Sequence, residues 1–378
     1  MTQRSGNGSD PDGTAARGRP AVPADRDGPI LVTGGAGFVG ANLSDKLLRE
    51  GRDVIVLDAF VREGVEANAR WLTRRHGGRV RFVRGDVRDA RLVGEAARGA
   101  AAVFHFAAQV AVTTSLADPA DDFSVNVGGT LNVLEALRRD PDPPPFFLTS
   151  TNKVYGCLGE VSLHARGERY VPDRPALAER GIGEDAPLDF RTPYGCSKGA
   201  ADQYTLEYAR SFGLPAVVFR MSCIYGPRQF GTEDQGWVAH VALCALHERP
   251  LTIYGDGMQV RDLLFAEDLV DAFLLAWQHA GRLRARAFNL GGGPANVMSL
   301  LELVRLLEER GARPGPVRFD AWRPGDQKYY VSDTTSFRSE TGWSPRVGVG
   351  EGLDRLCRAL EEQAADEPEA TAALGANG

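Results

Sequence analysis

Short apolar runs alternate with amphipathic helical patterns along this chain, and the first such pair encloses three glycines. Pro29–Thr33 reads as a buried strand, Thr33-Gly34-Gly35-Ala36-Gly37-Phe38-Val39-Gly40 as a turn, and Val39–Arg49 as a helix. Strands follow at Asp53–Leu57, Val80–Val83, Ala101–Ala107, Pro145–Thr149 and Ala216–Arg220, with helices at Asn126–Arg138 and Tyr194–Phe212. Strands and helices that alternate in this way bury both sheet faces only when the sheet is parallel and covered on each side. The expected fold is α/β, a doubly wound parallel sheet.

The texture changes after residue 225. Short strands (Leu251–Ile253, Ala287–Leu290) and helices (Ser299–Arg310, Gly350–Glu362) are separated by loops rich in Gly, Arg and Pro. A Rossmann-like domain over 28–225, to which some later segments return, is expected to carry a smaller C-terminal substrate-binding lobe over 226–362. Residues 1–27 and 363–378 have no apolar period and are expected to be disordered tails. The polar stretch Gly159–Asp189 shows no pattern and is expected to be a long loop.

Composition narrows the function classes. A chain of 378 residues with 43% apolar and 25% charged residues can build a large core without staples. It has no apolar run long enough for a transmembrane helix and no signal-peptide pattern near Met1. The five cysteines are unpaired in spacing, which suits reduced thiols and a cytoplasmic location. Six scattered histidines give no metal-ligand spacing, so no metal site is expected. A net charge of −6 argues against a nucleic-acid partner. Of the 44 basic residues only four are lysine (Lys46, Lys153, Lys198, Lys328), which singles each of them out.

The glycine run marks a cofactor end. Gly34, Gly37 and Gly40 follow a strand and open a helix, where they permit a tight turn and bring the helix N-terminus to a pyrophosphate. Asp58 ends the next strand, and a carboxylate there holds an adenosine ribose 2′-hydroxyl and repels a 2′-phosphate, which favours NAD. Asp86 and Val87 after the third strand, and Phe106-Ala107-Ala108-Gln109 after the fourth, stand where a dinucleotide would pass.

The catalytic end is a Tyr-x-x-x-Lys pair, Tyr194 and Lys198, on one face of a helix. Nine tyrosines and four lysines would produce that spacing by chance about 0.1 times. A free tyrosine titrates near pH 10, and the ammonium one turn away is expected to bring it toward neutrality. Thr151, at the end of the Leu148-Thr149-Ser150-Thr151-Asn152-Lys153-Val154-Tyr155-Gly156 run, is expected beside Tyr194.

The glycine loop, the Ser150–Gly156 run and Tyr194–Lys198 together resemble the extended short-chain dehydrogenase/reductase family of nucleotide-sugar enzymes. Thr192–Val238 is similar to the CDP-paratose 2-epimerase (CDP-tyvelose epimerase) branch, and the likeness spans about residues 29–362. The resemblance implies a Thr151, Tyr194 and Lys198 catalytic trio, NAD as cofactor, and Phe38, Val39 and Asn126 among its contacts. It places Thr151, Asn152, Lys153, Cys223, Arg261, Arg323 and Asp326 on the side of a nucleotide-diphosphate sugar. Asn152 and Lys153 stand where 4,6-dehydratases of the family carry an Asp-Glu pair, which implies an epimerase working through a transient ketone. Cys223 departs from the asparagine of many relatives and the serine of tyvelose epimerases. Inversion at another carbon, such as C4, and a non-catalytic NAD-binding protein are the alternatives. A homodimer or homotetramer is expected, paired through Asn126–Arg138 and Tyr194–Phe212 by Val127, Leu131, Leu134, Tyr204, Leu206 and Tyr208.

Overall fold

Seven parallel strands form the central sheet of the protein, seen in a computed structural model that describes residues 27–366. Their spatial order is Arg286–Leu290, Ala216–Met221, Phe146–Thr151, Ala102–His105, Ile30–Thr33, Val54–Asp58 and Val80–Arg84. The chain starts in the middle, at Ile30–Thr33, and winds outward to both sides. The strand order reverses there, and a crevice opens at the carboxyl ends of the strands, where such sheets take their ligands.

Each face is covered by its own apolar layer. On one, the helices Phe38–Arg49, Val65–His76 and Ala266–Gln278 pack on Ile30, Val32, Val54, Val56 and a group of aromatic side chains. Phe104 and Phe147 stack at 4.7 Å, and Phe219, Phe273 and Phe337 continue the contact. These rings are all fully buried, and each contributes about 1.5–3 kcal/mol by leaving water. On the other face Ala90–Ala97, Gly129–Arg138 and Thr192–Ser211 cover Leu31, Val103, Leu148 and Val218. A third cluster joins Trp237–Leu246, Leu300–Glu308 and Val349–Asp366 to Leu251, Ile253 and Leu263, away from the main sheet.

Several expectations change. The strand expected in the smaller lobe at Ala287–Leu290 is the edge of the main sheet, paired in parallel with Ala216–Met221. The stretch 159–189 is not a bare loop: Leu163–Arg166 and Arg169–Pro172 form an antiparallel hairpin, and Pro175–Arg180 a short helix. The hairpin strands mix exposed and half-buried residues with no alternation, so the sequence does not announce them. The helix expected from Asn126 starts as a π-helical turn at Ser124–Gly128 and becomes α-helical at Gly129.

The expected N-terminal tail lies outside the described residues except for Asp27. At the other end, Val349–Asp366 is helical through the start of the expected C-terminal tail. Gln363 is buried there, and its Oε1 accepts from Arg228 N at 2.7 Å. Arg228 Nε donates to Asn68 Oδ1 at 2.8 Å, and Asn68 Nδ2 donates to the carbonyl of Ala36 in the glycine loop at 3.0 Å.

Candidate active site

One cleft of about 950 Å³ runs along the carboxyl ends of the central strands. Its first wall is the glycine turn. Gly34 has a φ of +65°, and a Cβ there would lie 2.7 Å from Ala107 N. A Cβ at Gly40 would lie 2.4 Å from Gly34 O, so helix and strand could not close together. The turn thus presents bare backbone and the first N–H groups of Phe38–Arg49 to the cleft, and Gly37 caps that helix without a side chain. Both features fit a pyrophosphate. Asp58 lies alongside, its carboxylate pinned by Ala36 N at 3.0 Å and Phe60 N at 2.9 Å. Burial raises its pKa, opposed by these bonds and by the Arg62 guanidinium. The residues present fit a dinucleotide.

Phe38, Val39, Asp86, Val87, Phe106, Ala107, Ala108 and Gln109 all line the cleft. Asp86 is engaged with Arg88, whose Nη2 donates to it at 2.6 Å and holds its pKa down. Asn126 is not among the lining residues. Its Nδ2 donates to Ser197 Oγ at 2.9 Å and Asp122 Oδ1 at 3.2 Å, and its Oδ1 accepts from Gln109 N at 2.9 Å. Its polar atoms are spent behind the wall.

Thr151, Tyr194 and Lys198 meet at the centre of the cleft. Thr151 closes its strand, and Tyr194 and Lys198 face it from the first turns of Thr192–Ser211. The Thr151 hydroxyl donates to Asn152 Oδ1 at 3.3 Å and favours the charged form of the nearby Tyr194 phenol. Lys198 Nζ donates to the carbonyl of Thr149 at 2.7 Å. Burial pushes Tyr194 up to about 12, with Thr151 opposing, Asp122 adding to the rise and Arg62 opposing. The expected effect of Lys198 on the phenol is therefore not what this geometry gives. The lysine is turned to a backbone oxygen, and the cation that acts on Tyr194 is Arg62. Burial lowers Lys198 to about 8, against the support of Asp202 and Asp122. Asp202 is itself locked to Arg220 by bonds of 2.9 and 3.1 Å.

The far end of the cleft is cationic. Lys153 Nζ and Arg261 Nη2 both donate to Asp326 Oδ1, at 3.2 and 2.7 Å. Burial lowers the pKa of Lys153, and Asp326 counters it. Asn152 Nδ2 donates to Gln327 Oε1 at 3.2 Å. Cys223 Sγ accepts from Trp237 Nε1 at 3.2 Å. Arg323 lies 4.0 Å over the Tyr254 ring and pairs with Asp234 at 3.1 Å and Glu233 at 3.5 Å. Arg62, Asp122, Glu233, Trp237 and Tyr254 escaped the sequence reading. None stands at a fixed spacing from a motif, and only the fold brings each of them to the site or the wall behind it.

Among the described residues no group of three or more His, Cys, Asp or Glu is placed to hold a metal ion. No helix among them is long and apolar enough to cross a membrane.

Comparison with known proteins agrees with this geometry. Residues 30–291 match the model of the NAD dependent epimerase/dehydratase family. The chain is 42% identical over 337 residues to the CDP-paratose 2-epimerase of Salmonella typhi, covering 86% of this chain and 97% of that one. It is 33% identical to a UDP-glucose 4-epimerase of Mycolicibacterium smegmatis over 85% of this chain and 95% of that one. A dTDP-glucose 4,6-dehydratase from Streptomyces venezuelae, solved with NAD bound, superposes with a TM-score of 0.77 at 30% identity, covering 91% of this chain and 100% of that one. A cleft built for a dinucleotide, with a tyrosine and a lysine facing its middle, thus sits on a chain whose matches share one cofactor chemistry: the protein belongs to the NAD-dependent epimerase/dehydratase family and uses NAD.

Proposed function

We propose that this enzyme inverts one carbon of a nucleotide-diphosphate sugar through a transient ketone, and that its substrate is CDP-paratose or a close deoxysugar analogue inverted at C2. The observation that carries this is the chemistry of the two residues directly after Thr151. Asn152 is an amide tied to Gln327, and Lys153 is a cation tied to Asp326. A 4,6-dehydratase uses a carboxyl pair at this point, an acid for the departing hydroxyl and a base for the neighbouring C–H, and Asn152 and Lys153 supply no carboxylate to act as that base. The likeness to the CDP-paratose 2-epimerase supports the choice of sugar.

Bound NAD supplies reversible hydride exchange with the sugar carbon. The glycine turn, the first turn of Phe38–Arg49 and Asp58 hold the dinucleotide. Tyr194, assisted by the Thr151 hydroxyl, takes the proton of the sugar hydroxyl and later returns it. Lys198 is oriented by Thr149 O and keeps two of its three donors for the cofactor ribose. Arg261 and Arg323 grip the diphosphate, with Asp326 setting the position of Arg261, and Cys223 and Lys153 border the sugar. The residues after 225 supply the nucleotide side of the cleft. The unpaired cysteines suit a reducing cytoplasm, and a homodimer or homotetramer is the assembly we assign.

The test is isotopic. CDP-paratose deuterated at C2 is incubated in ordinary water, and the product is examined by mass spectrometry and by proton coupling constants. The expected product has equal mass, inverted C2 stereochemistry and retained label, because the hydride leaves and returns on one cofactor. Loss of the label to water, or a product lighter by one water, overturns the mechanism. Inversion at C4 of UDP-glucose with no action on CDP-paratose would select the alternative supported by the UDP-glucose 4-epimerase relative.

A further inference from the structure

Asp122 lies behind the cleft wall on the short helix Pro119–Phe123 and is 1% exposed. Its Oδ1 accepts from Gln109 Nε2 at 2.9 Å and from Asn126 Nδ2 at 3.2 Å. Its Oδ2 is fully buried and has no hydrogen-bond partner among the described residues. An unpaired buried carboxylate oxygen is costly. The carbonyl of an asparagine in this place could accept the same two bonds. What the acid adds is negative charge next to the catalytic helix, reached through the Asn126 amide; burial raises its pKa, and Ser197, Gln109 and the Lys198 ammonium oppose that rise. The same Asn126 amide that holds Asp122 also donates to Ser197 Oγ at 2.9 Å, and Ser197 Oγ donates to the carbonyl of Tyr194 at 3.2 Å. The clamp therefore reaches the backbone turn that presents Tyr194 and Lys198.

We propose that Asp122 is the interior counter-ion of the Tyr194–Lys198 pair, a positioning residue held by Gln109 and Asn126 whose negative charge keeps the exchangeable proton on that pair. Its charge favours the ammonium of Lys198 and opposes the phenolate of Tyr194. The other groups around the pair do not duplicate it. Asp202, further along the same helix, also supports Lys198, but its charge is matched by Arg220. Arg62, from the loop after Val54–Asp58, acts on Tyr194 in the opposite sense. His105, on the fourth strand, is kept neutral by burial and by Lys198, its pKa lowered to about 3. Asp121, beside Asp122, is exposed and paired with Arg88 at 2.7 Å. In an inversion cycle the proton taken from the sugar must wait on the enzyme until the ketone has turned. An anion behind the pair retains it there, with no proton exchanged with bulk water. This inference rests on the reading of Tyr194 and Lys198 as the proton-handling pair, and not on which sugar is turned over.

The test needs no sugar. In NAD-loaded protein the phenolate of Tyr194 is titrated by its near-ultraviolet absorbance, as the difference between each protein and its Tyr194→Phe counterpart. Asp122→Asn is expected to lower the midpoint by about one pH unit, a tenfold rise in phenolate at a given pH below it. Asp122→Glu is expected to restore the midpoint toward wild type, and Asp121→Asn to leave it in place. Asp122→Ser is the second charge-free variant if the asparagine variant does not fold. An unmoved midpoint in a folded charge-free variant overturns the proposal, whatever happens to turnover or melting. So does a failure of both charge-free variants to fold, since the acid would then serve the fold alone. A wrong assignment of the sugar leaves the titration unchanged and is exposed by the isotope experiment.

Discussion

Asp326 Oδ1 accepts from two cations at once, Lys153 Nζ at 3.2 Å and Arg261 Nη2 at 2.7 Å. Two positive charges share one negative charge at the base of the cleft, which leaves a net positive charge for a ligand anion. Asp326→Asn removes the main support for the Lys153 ammonium, which burial already disfavours. The sugar-nucleotide KM is expected to rise about tenfold, with a smaller change in kcat. The rise should grow with pH as Lys153 loses its proton. Steady-state kinetics across a pH series check this, and a pH-independent KM would refute it.

Lys198 gives the fold a pH dependence of known sign. Burial holds its pKa at about 8, whereas an unfolded lysine titrates near 10.4. Between those values the unfolded chain binds a proton that the folded one has lost, so this group makes stability rise with pH, by up to about 3 kcal/mol. Tyr194 works the other way above pH about 10, where an unfolded tyrosine ionises before one held at about 12. Urea unfolding across this range should show a Lys198→Met protein with a flatter response between about pH 8 and 10 than wild type.

Local chemistry at fixed spacing was the legible part. The glycine turn, Asp58, Thr151 and the Tyr194–Lys198 pair each stand in a short run of recognisable chemistry, and the alternation of strands and helices gave the sheet. What depended on long-range pairing was not legible. Arg286–Leu290 joins the main sheet through a partner about 70 residues earlier. The hairpin at Leu163–Pro172 carries no apolar period because only its last residue is buried and the rest are exposed or half-buried without alternation. Arg62 acts on Tyr194 from a different strand's loop, and the charge of Asp122 matters only because the π-helical turn at Ser124–Gly128 brings Asn126 between it and Ser197.

Asp58 should govern the choice of dinucleotide. Asp58→Ala removes the charge that would repel a 2′-phosphate, and NADP affinity is expected to rise relative to NAD. It also strips the partners from Ala36 N and Phe60 N, at a cost of about 1–3 kcal/mol for each donor left dry. Calorimetric titration with both dinucleotides, together with thermal melting, separates the two effects. Unaltered selectivity in a folded variant would show that Asp58 acts on the loop alone.

The outer face of Thr192–Ser211 and its neighbours is where copies should meet. Tyr204 is 50% exposed and Phe212 53%, with Leu116 at 45% and Phe123 at 58% on the short helices packed beside it. Val127, Leu134 and Leu206, expected in the same contact, are buried in the protein's own core instead. Tyr204→Glu is expected to shift the assembly toward monomer at micromolar concentration. Light scattering reads this directly, and a wild-type protein already monomeric there would refute the assembly.

The bond from Arg228 N to Gln363 gives the helix Val349–Asp366 a reach of its own. Arg228 holds Asn68, and Asn68 holds Ala36, so three side chains link the last helix to the turn where the dinucleotide would lie. Trimming the chain before Gln363 would remove that bond and slacken the turn. Cofactor lost from a chain cut before Gln363 should therefore be traced first to this tether.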